Sequence, residues 1–64
     1  MTAREVIAAL KEDGWSVVRK GPGSHLQFRH PTKRGTVTVP VHAGDIPLGT
    51  LKSIERVAGI PLRK

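Results

Sequence analysis

The 64-residue chain has no cysteine and no tyrosine, and its only large aromatic residues are Trp15 and Phe28. Without cysteine there is neither a disulfide scaffold nor a thiolate zinc finger. No apolar run approaches the ~18–20 residues that a bilayer-spanning helix needs, so no membrane partner is expected. The opening Met1-Thr2-Ala3-Arg4-Glu5 lacks the basic-then-apolar pattern of a signal peptide, and the cytoplasm is the expected compartment. Hydrophobic residues make up 38% of the chain. A chain this short buries roughly 60% of its unfolded surface, which predicts one domain over residues 1–64 with a small core.

Acids are scarce as well: five Asp and Glu stand against eleven Lys and Arg, a net charge of +6. Residues 15–36 hold Arg19, Lys20, Arg29, Lys33 and Arg34 and no acid at all, a local charge of +5. Such a window favours a polyanionic partner, nucleic acid first.

Local patterns divide the chain into five elements. Thr2 and Glu5 form a Thr-x-x-Glu capping box ahead of Ala3, Val6, Ile7 and Leu10 at helical spacing. Gly14 closes this helix, predicted over 3–13. The segment from Trp15 to Lys20 is rich in β-formers and ends at the Gly21-Pro22-Gly23 turn. Ser24 to Arg29 alternates, with Leu26 and Phe28 on one face and His25, Gln27 and Arg29 on the other. Thr36 to Val39 reads as a third strand, with Val37 and Val39 inward and Pro40 stopping it. Pro47, Leu48, Leu51, Ile54 and Val57 or Ala58 predict a helix over 47–58, ended by Gly59.

The order is therefore α-β-β-β-α, an α+β domain. A three-stranded antiparallel sheet carrying both helices on one face buries every apolar stripe. Double-stranded-RNA-binding domains share this arrangement. The other sheet face is left open, and strand 2 presents His25, Gln27 and Arg29 on it.

His25 is the leading candidate for chemistry. It follows a turn rich in glycine, with Lys20 just across that turn and Gln27 and Arg29 on its own strand face. A histidine among cations suits proton transfer at a phosphodiester. In RNA the 2′-hydroxyl already lies beside the scissile phosphate, so one histidine and a few cations suffice. Lys20, Ser24, Gln27, Arg29 and Lys52 are the candidate RNA or phosphate contacts. His30 lies five residues from His25, roughly 16 Å along a straight strand and on the other face; its ring is expected to pack at the sheet edge. His42 reads as a hydrogen-bonded loop residue near Asp45. Three dispersed histidines without cysteine or clustered carboxylates call for no metal and no cofactor. A non-catalytic RNA-binding module, or a basic protein that only meets an acidic partner, fits the same residues.

The segment Gly23-Ser24-His25-Leu26-Gln27-Phe28-Arg29-His30-Pro31 resembles the G-S-H-x-x-F-x-H-P signature of HicA-type mRNA interferase toxins. Val39-Pro40 with His42 fits the same family. So do Asp45-Ile46-Pro47-Leu48-Gly49-Thr50-Leu51, Ile54, Ala58-Gly59-Ile60, and the short helix before Gly14-Trp15. The chain departs from the family pattern at Gly21-Pro22-Gly23. The resemblance implies a double-stranded-RNA-binding-like fold and ribosome-independent mRNA cleavage. It also implies a cognate HicB-type antitoxin covering the His25 face, and matches the family's catalytic histidine to His25.

Overall fold

The first helix starts as its capping box requires. Thr2 Oγ1 accepts the Glu5 backbone N–H at 3.2 Å, and Glu5 Oε1 accepts the Thr2 backbone N–H at 2.8 Å. Two of the four orphan donors of the first turn are thereby satisfied. The helix, α1, spans Ala3–Glu12. Its end is a Schellman motif: the Gly14 N–H donates to Lys11 O and the Trp15 N–H to Leu10 O. The computed structural model describes residues 1–21 and 23–62. Pro22, in the turn expected at Gly21-Pro22-Gly23, and the terminal Arg63 and Lys64 lie outside the described residues.

Three strands follow: β1 Ser16–Lys20, β2 His25–Arg29 and β3 Val37–Pro40, antiparallel in the order β1-β2-β3. The second helix, α2, spans Leu48–Ala58. Pro47 stands just before it, and its carbonyl accepts the Leu51 N–H at 3.0 Å. Gly59, left-handed at φ 70°, ends it. The expected α-β-β-β-α domain is the observed one. Its boundaries differ in detail. Trp15 precedes β1 instead of opening it, because the Schellman turn has already delivered the indole to the core. Pro40 is the last residue of β3 rather than its stop. It lies on an edge strand, where a missing N–H costs little.

Phe28, Val37 and Val39 on the sheet form one buried cluster with Ala3, Val6 and Leu10 of α1 and Leu51, Ile54 and Ala58 of α2. Both helices therefore cover the same sheet face, and Trp15 and Leu62 are buried in the same cluster. Each large side chain buried this way contributes about 1.5–3 kcal/mol. On α2, Ala58 takes the buried position and Val57 stays exposed.

The edge strand β1 is irregular. Ser16 pairs with Arg29 and Val17 with Phe28, but Arg19 pairs with Gln27 and Lys20 with Leu26. Val18 is the extra residue of a β-bulge. After the bulge the facing of the strand is inverted relative to plain alternation from Val17. Arg19 joins the open face and Lys20 the helix side.

Candidate active site on the open sheet face

β2 is the central strand, and its alternation carries His25, Gln27 and Arg29 to the face that no helix covers. The register adds neighbours on both sides. Pro40 lies opposite His25 across β3, and Thr38 lies opposite Gln27. On the other flank the Gly21 N–H donates to His25 O at 2.8 Å, Arg19 is opposite Gln27, and Ser16 is opposite Arg29. His25 thus has a glycine as its backbone partner on one side and a proline on the other.

His25, Arg29 and Arg19 are exposed, and Gln27 is half-buried. His25 also lines a groove of about 210 Å³ with Lys20, Gly23, Ser24, Leu26 and Val41 at the hairpin end of the sheet. Val41 and Ser24 are tied there by a 2.8 Å backbone hydrogen bond from the Val41 N–H to Ser24 O. Of the residues singled out in the sequence, the structure gathers His25, Gln27 and Arg29 on one face and places Ser24 at the hairpin end of the sheet; Lys20, turned to the helix side by the bulge, reaches them only along the groove that it lines with His25. Lys52 is apart from them. It is exposed on α2, whose Leu51, Ile54 and Ala58 face the sheet. Lys52 therefore belongs to the helix layer, together with Arg56 one turn on.

Arg19 belongs to the acid-free window, and the sequence groups it with His25, Lys20 and Arg29 as a surface for the antitoxin but not among the candidate RNA contacts. Its placement depends on the bulge; the only local sign is two successive valines, Val17 and Val18, where a half-buried strand alternates.

The charge balance of the face is one-sided. Each acid stands elsewhere: Glu5 in the α1 cap, Glu12 at the end of α1, Asp13 against Lys33, Asp45 at the Met1 ammonium, and Glu55 accepting the Leu62 N–H. Arg19 and Arg29 form no ion pair among the described residues.

The other histidines serve different ends. His30 is packed edge-on against Trp15, with ring centroids 5.3 Å apart. Its Nδ1 receives the backbone N–H groups of Thr32 and Lys33 at 3.1 Å each, and its Nε2 lies 2.7 Å from Asp13 O. Two donors aimed at Nδ1 require a lone pair there, which places the ring proton on Nε2, donated to Asp13 O. His30 is a structural bridge, as its expected packing at the sheet edge implied. His42 is exposed in the loop after β3, while the neighbouring Asp45 carboxylate is 3.8 Å from the Met1 ammonium. Beside His30, Lys33 Nζ donates to Asp13 Oδ2 at 2.6 Å and to Ala58 O at 3.0 Å. That hydrogen bond from Lys33 holds the Asp13 carboxyl below its ordinary value, against the opposing effect of partial desolvation.

Among the described residues no group of three His, Cys, Asp or Glu is placed to hold a metal ion. No helix among them is long and apolar enough to cross a membrane.

The fold and this face define a small two-layer α+β protein with an uncovered, acid-free sheet surface and one histidine on it. A family described as HicA toxin of bacterial toxin-antitoxin matches residues 3–60. The chain belongs to that family: it is a toxin of a toxin–antitoxin system, a class that implies an antitoxin partner. No curated protein matches the chain.

Proposed function

We propose that this toxin is an endoribonuclease that cleaves mRNA with His25 as its acid–base group and no bound metal, acting as a single domain over residues 1–64. One observation carries the reading. His25 is exposed on the one sheet face free of helices, a face it shares with Gln27 and the exposed Arg19 and Arg29, with no carboxylate among them.

The chemistry follows from that setting. His25 accepts the proton of the RNA 2′-hydroxyl as its oxygen attacks the adjacent phosphorus. The bond from phosphorus to the 5′-oxygen breaks, and that oxygen takes a proton from solvent. The products are a 2′,3′-cyclic phosphate and a 5′-hydroxyl. The nucleophile belongs to the substrate, so no metal-activated water is needed. Arg29, Lys20, Ser24 and Gln27 hold the phosphates and offset charge developing on them. Lys52, in the helix layer, engages a more distant stretch of the same RNA. A HicB-type antitoxin with an acidic surface covers the His25 face in the cytoplasm. Steering by the basic face brings that partner on quickly.

No second histidine or carboxylate stands beside His25 on the described face, which gives a non-catalytic RNA-binding module some support. Turnover separates the two readings. Purified wild type and His25→Ala are incubated with one RNA, with circular dichroism showing both folded. Loss of about 10²–10⁴-fold in rate is expected for His25→Ala, with cleavage that survives EDTA and spares DNA. A folded His25→Ala protein cutting at the wild-type rate would exclude His25 as the acid–base group. RNA affinity without any cleavage by wild type would select the binding module.

A further inference from the structure

The open face carries no Phe, Tyr or Trp, and His25 is the one aromatic ring assigned to it among the described residues. Trp15 and Phe28 are 1% and 0% exposed, both inside the core. RNA-binding sheets that read single strands by stacking depend on exposed aromatic side chains. With a single imidazole and no larger ring, this face lacks a platform on which successive bases could stack. It offers instead two arginines without ion-pair partners among the described residues, on adjacent strands, around Gln27.

We infer that Arg19 and Arg29, with Gln27 between them, form a phosphate track on the open sheet face that holds single-stranded RNA by its backbone beside His25. The inference rests on the ribonuclease reading for what happens at His25, but the track itself is a binding surface and is tested by binding. Its geometry comes from the register. Arg29 is four residues along β2 from His25, roughly 13 Å at strand rise. Arg19 lies across from Gln27, midway between them. The three groups thus border one path along β2. The Val18 bulge admits Arg19 to this path: plain alternation from Val17 would have turned Arg19 toward the helices and Lys20 outward.

Two consequences distinguish this track from a generally basic surface. Each phosphate neutralised adds about 0.7 to the salt slope of single-strand binding, so specific arginines must each account for a step. Recognition through the backbone also makes this face indifferent to base identity.

The test measures binding of uridine and adenosine oligoribonucleotides to the folded His25→Ala protein between about 50 and 200 mM salt. Arg19→Ala and Arg29→Ala are each expected to lower the slope of log affinity against log salt by about 0.7. Arg19→Lys should keep the slope, because an ammonium also neutralises a phosphate. Lys11→Ala, on the exposed side of α1, should leave it unchanged. The two homopolymers should bind within a few-fold of each other. The track is overturned if neither arginine substitution changes the slope, if Lys11→Ala changes it as much, or if one homopolymer binds far more tightly. Wild-type cleavage of RNA is scored separately. Its absence would remove the ribonuclease reading and leave the track standing, whereas cleavage with unchanged slopes would do the reverse.

Discussion

The imidazole Nε2–H of His30 donates to the backbone carbonyl of Asp13 at 2.7 Å, joining the exit of β2 to the C-terminal end of α1. The other ring nitrogen gathers the Thr32 and Lys33 N–H groups of the loop before β3. One side chain therefore satisfies three backbone groups from two segments while packing on Trp15. His25, five residues earlier, stands exposed on the opposite face.

Substituting the two histidines should separate stability from activity. His30→Ala removes those hydrogen bonds and leaves space beside Trp15, a loss of about 2–4 kcal/mol. In a domain this small each 1 kcal/mol lowers Tm by roughly 4–8 °C, so thermal unfolding should shift far downward or lose its cooperative transition. His25→Ala should melt within a few degrees of wild type. Equal melting temperatures for the two variants would contradict the bridging role of His30.

Gly14 should tolerate no side chain. Its φ is +106°, and a Cβ would lie 2.9 Å from His30 Nε2. Gly14→Ala strains the backbone and displaces the imidazole from its bond to Asp13. A loss of about 2 kcal/mol or more is expected, read by urea denaturation. Gly23 has nothing within 4 Å of where a Cβ would stand, so Gly23→Asn, a residue that accepts left-handed φ, should cost far less.

Asp13 should make stability fall on the acid side. Lys33 holds its carboxyl below the ordinary value, so the unfolded chain binds its proton more readily than the folded one. The stabilisation is fully present above the ordinary carboxylate range, about pH 4. It is lost as pH falls through the lower folded value. Lys33→Met should flatten this acid limb of a Tm-against-pH profile while leaving the rest of its shape. An acid limb unchanged in Lys33→Met would show that Lys33 does not set the Asp13 titration.

Charge reversal on the open face should slow antitoxin capture. Arg19→Glu with Arg29→Glu removes the attraction that steers an acidic partner. The association rate at low salt should drop by about tenfold or more, and the gap to wild type should close as salt rises. Stopped-flow mixing at two salt concentrations reads both effects. An association rate that does not respond would place the antitoxin on another surface.

Much of this architecture is local and legible in the chain. The Thr2–Glu5 box, the Gly14 stop, the alternation from His25 to Arg29 and the stripe Leu51-Ile54-Ala58 each follow from backbone geometry over a few residues. Those patterns suffice for the α-β-β-β-α order, for a core around Phe28, and for His25 facing outward. A strand's period of two leaves His25 no other side once Leu26 and Phe28 face the helices.

Packing decided the rest. Alternation alone does not reveal that Val18 is extra, because either valine can face the core; pairing with β2 settles it, and with it the facing of Arg19 and Lys20. Lys33 meets Asp13 and the Ala58 carbonyl across 20 and 25 residues of sequence, contacts that no local period encodes. Lys52 shares its charge with the residues near His25 but lies in the other layer, since α2 must bury Leu51 and Ile54 against the sheet. The residue types and their periods determined the elements and the outward histidine. The register of an edge strand and the closure of the loop before β3 are settled only when the strands and helices compete for the same small core.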